Sequence, residues 1–104
     1  MTRELDVRRR DLEQQASIDV RGALLDLTAA REEVAASRER LRLAEQEVAQ
    51  ARERFRAGIA GNADVVNASL TLNAARSQNV DALTSLQQAR VSLARAEGAV
   101  TQLR

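Results

Sequence analysis

The stretch RFRAGIAGNADVV, residues 54–66, decides the fold of this chain. Gly58 and Gly61 stand between an arginine-rich run and Asp64, and the residues on both sides favour helix. Gly58 suits the left-handed conformation that ends many helices, and arginines in a last helical turn are favoured by the helix dipole. Asn62 is a good residue to cap a second helix, whose first turn then holds Asp64. The stretch therefore predicts that the chain reverses between two helices.

Heptad repeats flank this turn on both sides, with one large apolar residue and one small residue in each repeat. Before the turn, the large position holds Val20, Leu27, Val34, Leu41, Val48 and Phe55, and the small position holds Ala23, Ala30, Ser37, Ala44 and Ala51. After the turn, the large position holds Val65, Leu72, Asn79, Leu86, Leu93 and Val100, and the small position holds Ala68, Ala75, Ala82, Ala89 and Ala96. Repeats of this length are typical of coiled coils, and we call these positions the seam.

The two repeats mirror each other about residue 60, because opposite large positions such as Val48 and Leu72 have numbers that sum to 120. This symmetry leaves open which residues share a layer. We predict an all-α fold, a single long antiparallel two-helix coiled-coil hairpin over residues 1–104. The predicted segments are a helix over about 4–57, a tip turn over 58–62 and a helix over about 63–103. The residues expected to pack in the seam include Val34, Leu41, Val48, Phe55, Val65, Leu72, Leu86 and Leu93.

Residues 1 to about 15 lie outside the mirrored part of the sequence. Leu5 and Leu12 in this segment are out of phase with Val20, so the seam does not continue into it. The segment is therefore either frayed or packed on another chain.

The composition excludes several classes of protein. Only 1% of the residues are aromatic, too few for an ordinary globular core, while a net charge of +1 and regular apolar residues argue against disorder. The chain contains no histidine and no cysteine, so the common metal ligands and most acid–base groups are missing. We therefore expect no enzyme, no catalytic or metal site and no cofactor.

Nucleic-acid binding and membrane insertion are not expected either. The arginine run at 8–10 stands beside Asp6 and Asp11, and no aromatic residue is near to stack on bases. No run of about 18 apolar residues is present, as a membrane-spanning helix requires. The N-terminal residues MTRELDVRRR lack the apolar stretch of a signal peptide. We expect the chain as given to be soluble and not inserted in a membrane.

Charge is distributed unevenly along the chain. Residues 1–57 hold 12 Arg and 12 Asp or Glu, whereas residues 58–104 hold four Arg and three acids. The second segment also carries a second apolar line, formed by Val66, Leu70, Val80, Leu83 and Val91. A helix with few charges and apolar residues on more than one face is usually covered on more than one side. We expect lateral packing against other helices and self-association to a dimer or higher assembly; ordinary surface residues are the alternative.

The stretch ARERFRAGIAGNADVVNASLTLNAARSQNVDALTSLQQARVSLARAEG, residues 51–98, resembles the TolC family of outer-membrane efflux proteins. The family's repeat begins with a polar residue followed by an aromatic one, and a glycine comes shortly after them. Five residues separate this glycine from an Asp-Val pair. A helix follows, which ends in a small residue and glycine. The matching residues are Arg54, Phe55, Gly58, Asp64, Val65, Ala68, Ala96, Glu97 and Gly98. Upstream residues look like the family's long helix that leads into this turn, and the resemblance covers roughly residues 12–98.

The resemblance implies a role for the turn. Family members form trimeric channels, in which a β-barrel crosses the outer membrane and a helical barrel projects into the periplasm. The tips of the helical hairpins meet a periplasmic adaptor (membrane fusion) protein and form the channel entrance. By resemblance, Asp64 is a candidate for lining the entrance. The residues implied to contact the adaptor are Gly58, Ile59, Ala60, Gly61 and Asn62.

The sequence departs from the family's pattern in three ways, since it has no barrel strands, one hairpin rather than two repeats, and no signal peptide. We interpret it as a periplasmic hairpin cut from a larger channel for efflux or type I secretion, trimeric in the intact protein. Which repeat it represents, which substrate is exported and which adaptor binds stay open. Two alternatives stay open as well: a free-standing coiled-coil interaction module and a hairpin of a periplasmic adaptor protein. The Gly-x5-Asp-Val spacing favours the channel over the adaptor.

Overall fold

A computed structural model describes residues 2–102, and in this range the chain forms two α-helices and no strand. Helix α1 spans Thr2–Arg56 and helix α2 spans Asn62–Gln102. The predicted all-α hairpin is confirmed, with its turn where the glycines stand. The predicted helix ends differ from the observed ones by one or two residues. The last predicted helical residue, Leu103, lies outside the described residues, as do residues 1 and 104.

The chain divides into two compact units. The tip unit comprises Glu32–Thr84 and includes the turn, whereas the end unit combines the residues up to Arg31 with the residues from Ser85 onward. In the tip unit, α1 and α2 run antiparallel on either side of the turn and share one apolar cluster. That cluster is built from buried Ala44, Val48, Leu72 and Ala75, with Leu41 and Ala68 packed against it.

The end unit has the same kind of core as the tip unit, with small and branched apolar residues and no aromatic side chain. Its buried residues come from both helices and are Ala16, Ala23, Leu27, Leu86 and Ala89. Its half-buried members are Val20, Ala30, Leu93, Ala96 and Val100. Alanine at every second seam position lets two helix backbones approach closely, so little apolar volume is needed to fill the space between them.

Burial within residues 2–102 follows the heptad positions of the sequence. Every buried residue occupies a seam position or, for Ala16, the position one heptad before Ala23. Phe55 is the exception among the large seam residues, because 49% of its surface is exposed. It lies one residue before α1 ends, where the chain already turns away. Phe55 therefore stands at the edge of the seam rather than within it.

The seam contains one buried polar layer, which lies in the tip unit. Ser37 is fully buried, and its hydroxyl lies 2.9 Å from the carbonyl oxygen of Val34 and 3.1 Å from Oδ1 of Asn79 on the other helix. Asn79 is half-buried. The sequence places both residues in the seam but does not reveal that they meet.

The first 14 described residues of α1, residues 2–15, are all exposed. Leu5 and Leu12 are 65% and 56% exposed, although both are apolar. The structure therefore describes this segment as helix that no other part of the described chain covers.

Candidate functional site

The tip turn ends α1 with a pair of backbone hydrogen bonds around Gly58. The Gly58 N–H donates to the Phe55 carbonyl at 3.0 Å, and the Ile59 N–H donates to the Arg54 carbonyl at 2.9 Å. This pairing is a Schellman motif, which requires a left-handed residue just past the helix end. Gly58 has a φ of 75°, so it supplies that conformation without the steric cost of a Cβ atom.

Helix α2 begins one residue earlier than predicted, and this changes which residue caps it. Asn62 is the first helical residue, and the Asp64 N–H donates to the carbonyl of Gly61 at 3.2 Å. Gly61 therefore holds the cap position that the sequence analysis assigned to Asn62. Glycine is tolerated there almost as well as asparagine, because a helix start needs a non-helical backbone more than a particular side chain.

The apex of the turn presents Ile59 to solvent, with 77% of its surface exposed. In a Schellman motif, the apolar residue at this position usually packs back onto the last turn of the helix. In this chain the residue at the packing position in the last turn is Arg54, which is charged. Its Nε donates to the Gln50 carbonyl instead. Ile59 thus lacks the intramolecular cover that its position normally provides, and it is the most exposed large apolar side chain of the described residues.

The other tip residues surround Ile59 with a mostly polar surface. Gly58, Gly61 and Asn62 are exposed, and Ala60 is half-buried. Asp64 lies exposed in the first turn of α2, where the helix dipole favours a carboxylate. The residues implied by the resemblance are neighbours in the sequence, and the structure places Asn62 and Asp64 in the first turn of α2 and the others in the turn before it.

A second feature of interest is a continuous line of exposed, uncharged residues on α2, which we call the second stripe. Its members are spaced alternately by four and three residues, which keeps them on one side of a helix away from the seam. They are Val66, Leu70, Asn73, Ser77, Val80, Thr84, Gln87, Val91, Ala94, Gly98 and Thr101. The largest apolar members, Leu70 and Val80, are 62% and 60% exposed.

The threonines of the second stripe have their hydroxyl groups occupied within α2. Thr84 Oγ1 donates to the Val80 carbonyl and Thr101 Oγ1 donates to the Glu97 carbonyl, each at 3.0 Å. A hydroxyl that already donates its hydrogen bond to its own helix has less need of a hydrogen bond to water. The stripe is therefore less polar than its sequence suggests, and a helix resting on it would break no side-chain hydrogen bond of these threonines.

Helix α1 carries a contrasting surface of ion pairs. Glu33 with Arg40, Glu39 with Arg42 and Glu53 with Arg56 pair at 2.6, 2.5 and 2.9 Å. Side-chain hydrogen bonding from Arg42 lowers the pKa of Glu39, and attraction between the two charges adds to this, while desolvation opposes it. All these groups face solvent, where such pairs contribute little to stability. This surface fits contact with water.

The structure also bears on two further features, a metal site and a membrane-spanning helix, over the part of the chain that it describes. Residues 2–102 contain no group of three or more acidic, histidine or cysteine side chains placed to hold a metal ion. Over the same residues, neither helix is long and apolar enough to cross a membrane.

Comparisons with known proteins give one match. The model of a family described as outer membrane efflux protein matches residues 3–99. No significant match is found among curated proteins or among solved structures.

Proposed function

The chain belongs to the outer membrane efflux protein family, and from this premise we propose that it is a periplasmic helical hairpin of an efflux or type I secretion channel. Members of this family are channels, so the proposed role is in transport and not in catalysis. The hairpin docks a periplasmic adaptor protein at its tip and packs laterally against neighbouring helices, in a trimer when the protein is intact. Two surfaces support the proposal, and each has its own experiment.

The second stripe of α2 carries the proposal of lateral packing. Eleven consecutive members of the stripe bear no charge, and its larger apolar residues are exposed in the single chain. Single exposed apolar residues are ordinary, but an uncharged line that repeats every seven residues and carries apolar residues at several positions is a surface on which a second helix can pack. The same surface accounts for the expected self-association of this chain into a dimer or larger assembly.

Sedimentation of the purified chain tests the lateral packing. We expect a dimer or larger species, and replacing Leu70→Arg and Val80→Arg should weaken the association at least about tenfold, because two charges would enter an apolar contact. The control is Leu43→Arg on α1, at a residue that is 46% exposed and lies outside the stripe. A chain that stays monomeric at high concentration, or a control that disrupts association equally, would argue against the proposal.

Ile59 supports the proposal that the tip docks an adaptor. An exposed branched side chain at the apex of a rigid turn is the type of anchor that inserts into a partner's pocket. The rigid backbone of the Schellman motif holds this side chain in place before binding, which reduces the entropy lost on association. Asp64, in the first turn of α2, is a candidate for lining the channel entrance, as the resemblance implies.

Photocrosslinking in the source cells tests the docking at the tip. A photoreactive residue in place of Ile59 of the intact protein should give an adduct with a periplasmic adaptor, whereas the same residue in place of Gln46, exposed on α1, should not. Ile59→Ser should lower the yield of copurified adaptor without lowering the amount of channel. Adducts of equal yield from both positions would remove the assignment of the tip as the docking site.

The alternative proposals make other predictions. A hairpin of an adaptor would crosslink through its tip to an outer-membrane channel, and the spacing from Gly58 to Asp64 argues against it. A free-standing coiled-coil module would be found as an 11.4 kDa protein in cell extracts. An immunoblot against the tip peptide distinguishes it from a hairpin within a larger outer-membrane protein.

A further inference from the structure

The polar layer of the tip unit is the single interruption in the apolar seam of each helix there. Ser37 stands where the other small seam positions of α1 hold alanine, and Asn79 stands where the other large seam positions of α2 hold valine or leucine. The two exceptions face each other, with Oγ of Ser37 3.1 Å from Oδ1 of Asn79. No buried side-chain nitrogen or oxygen within residues 2–102 lacks a partner. The one polar residue in the seam of each helix therefore has the other as its partner across the seam.

The apolar residues of the seam distinguish poorly between alternative registers. Each heptad offers one valine or leucine and one alanine, and Ser37 faces Asn79, so small positions of one helix face large positions of the other. A shift of one helix by seven residues again places alanines beside valines or leucines. Repeats that are uniform in this way leave register weakly specified, and a polar residue within the seam is the usual means of specifying it. In this chain, such a shift would place Asn79 opposite Ala30 or Ala44.

A shifted register would leave both polar groups without their partner. The Asn79 amide would lie against an alanine, and the Ser37 hydroxyl would keep only the Val34 carbonyl of its own helix, at 2.9 Å. Removing the hydrogen bond of the half-buried Asn79 amide is unfavourable, while the apolar contacts regained elsewhere would be nearly the same. The layer thus separates the native register from its neighbours, which the apolar seam alone does not.

We infer that the Ser37–Asn79 layer fixes the register of α1 against α2 independently of the tip turn. Asn79 lies 17 residues after the start of α2 at Asn62, which is about 25 Å of helix. Because the layer fixes the register at this distance from the tip, the turn does not have to fix it. The turn then serves only to join the two helices, and its length can change without the two helices sliding past each other.

Lengthening the turn tests this inference, because a longer turn no longer dictates register. Seven flexible residues inserted between Ala60 and Gly61 span well over the about 10 Å of one heptad. The chain contains no cysteine, so Ala44→Cys with Ala75→Cys, both in the tip cluster, reports the native register by the initial rate of intramolecular crosslinking. Ala44→Cys with Ala82→Cys reports a shift of one heptad.

Four chains are compared: the native or the lengthened turn, each with the native layer or with Ser37→Ala and Asn79→Leu together. We expect the native-register crosslink to form at the same rate in three of them. It should slow about threefold only where the lengthened turn and the apolar layer are combined, because the native register and its two neighbours then become comparable. The crosslink through Ala82→Cys should appear in that chain alone.

Two outcomes would overturn the inference. If the combined chain keeps the native rate, the apolar seam fixes the register unaided. If the lengthened turn with the native layer slows as much as the combined chain, the turn fixes the register and the layer does not. Loss of structure is separated from loss of register by circular dichroism, since an apolar layer should unfold at the same or a higher temperature.

Discussion

The two helices share one seam design but differ in the rest of their surface. Both alternate branched apolar residues with alanine, and both bury those residues. Outside the seam, α1 carries arginine–glutamate pairs, whereas α2 carries an uncharged stripe. The comparison teaches that two helices with the same seam can carry different outer surfaces, and the proposed lateral packing of α2 rests on that difference. A hairpin with two solvated helices would not need this asymmetry.

The largest expected effect is a difference in unfolding free energy between variants on two faces of α2, the seam and the second stripe. Leu72→Ala removes a buried seam residue and should lower the free energy of unfolding by about 2–4 kcal/mol, through lost burial and the cavity left behind. Leu70→Ala, two residues away in the second stripe, should change it by less than about 0.5 kcal/mol in a solution dilute enough to keep the chain monomeric. Urea denaturation followed by circular dichroism measures both. Similar losses for the two variants would show that the stripe is not a separate surface.

The next test concerns the tip turn that joins the two helices. Gly58→Val should destabilise the hairpin by about 1–3 kcal/mol, because a β-branched residue is forced into the left-handed conformation. Gly61→Asn is the control, since Gly58 is the only described glycine with positive φ and a Cβ at Gly61 would meet nothing within 4 Å. Asparagine is also a favoured residue at the helix-cap position that Gly61 occupies. Thermal unfolding of both variants compares them. Equal melting temperatures for Gly58→Val and the wild type would mean that the turn tolerates another backbone path.

Two glycines inside the helices, one on each, should show a gain in stability. Gly22→Ala in α1 and Gly98→Ala in α2 should each raise the free energy of unfolding by about 0.5–1 kcal/mol, because alanine loses less backbone entropy in a helix. A Cβ added at either position meets nothing within 4 Å. Gly98 lies in the second stripe, so Gly98→Ala should in addition alter self-association, whereas Gly22→Ala should not if α2 alone carries the contact. Denaturation and sedimentation of the same samples check both statements.

The smallest expected effect concerns the ion pairs of α1. The pKa of Glu39 is lowered in the folded chain, so its contribution to stability is present above its ordinary pKa of 4.5 and is lost as pH falls through the folded value. The stability difference between wild type and Glu39→Gln should therefore be larger at about pH 6 than at about pH 3. Glu45→Gln, at an exposed residue of the same helix outside the ion pairs described, is the control. A difference that does not change with pH would show that the Arg42 contact is not maintained in solution.

Much of the fold could be predicted because a hairpin rests on local and periodic signals. The heptads fix which side of each helix is buried, and the glycine at the turn fixes where the chain reverses. Phe55 shows a limit of the heptad pattern. It occupies a seam position in the sequence, but at the end of α1 it is only partly covered by other residues. The cap at Gly61 shows the same limit for side-chain preference, because the backbone path of the turn determined which residue precedes the helix.

The sequence by itself determined the two helices, their seam, the turn and the family resemblance, since each depends on residues close together in the chain or on a regular spacing. The tertiary structure alone decided that Ser37 and Asn79 meet, because they are 42 residues apart and the mirror symmetry of the seam permits several layers. It also decided that Ile59 remains uncovered at the apex and that the second stripe of α2 faces outward. Which residues of one helix meet which residues of the other depends on the three-dimensional path of both chain segments, which no local pattern specifies.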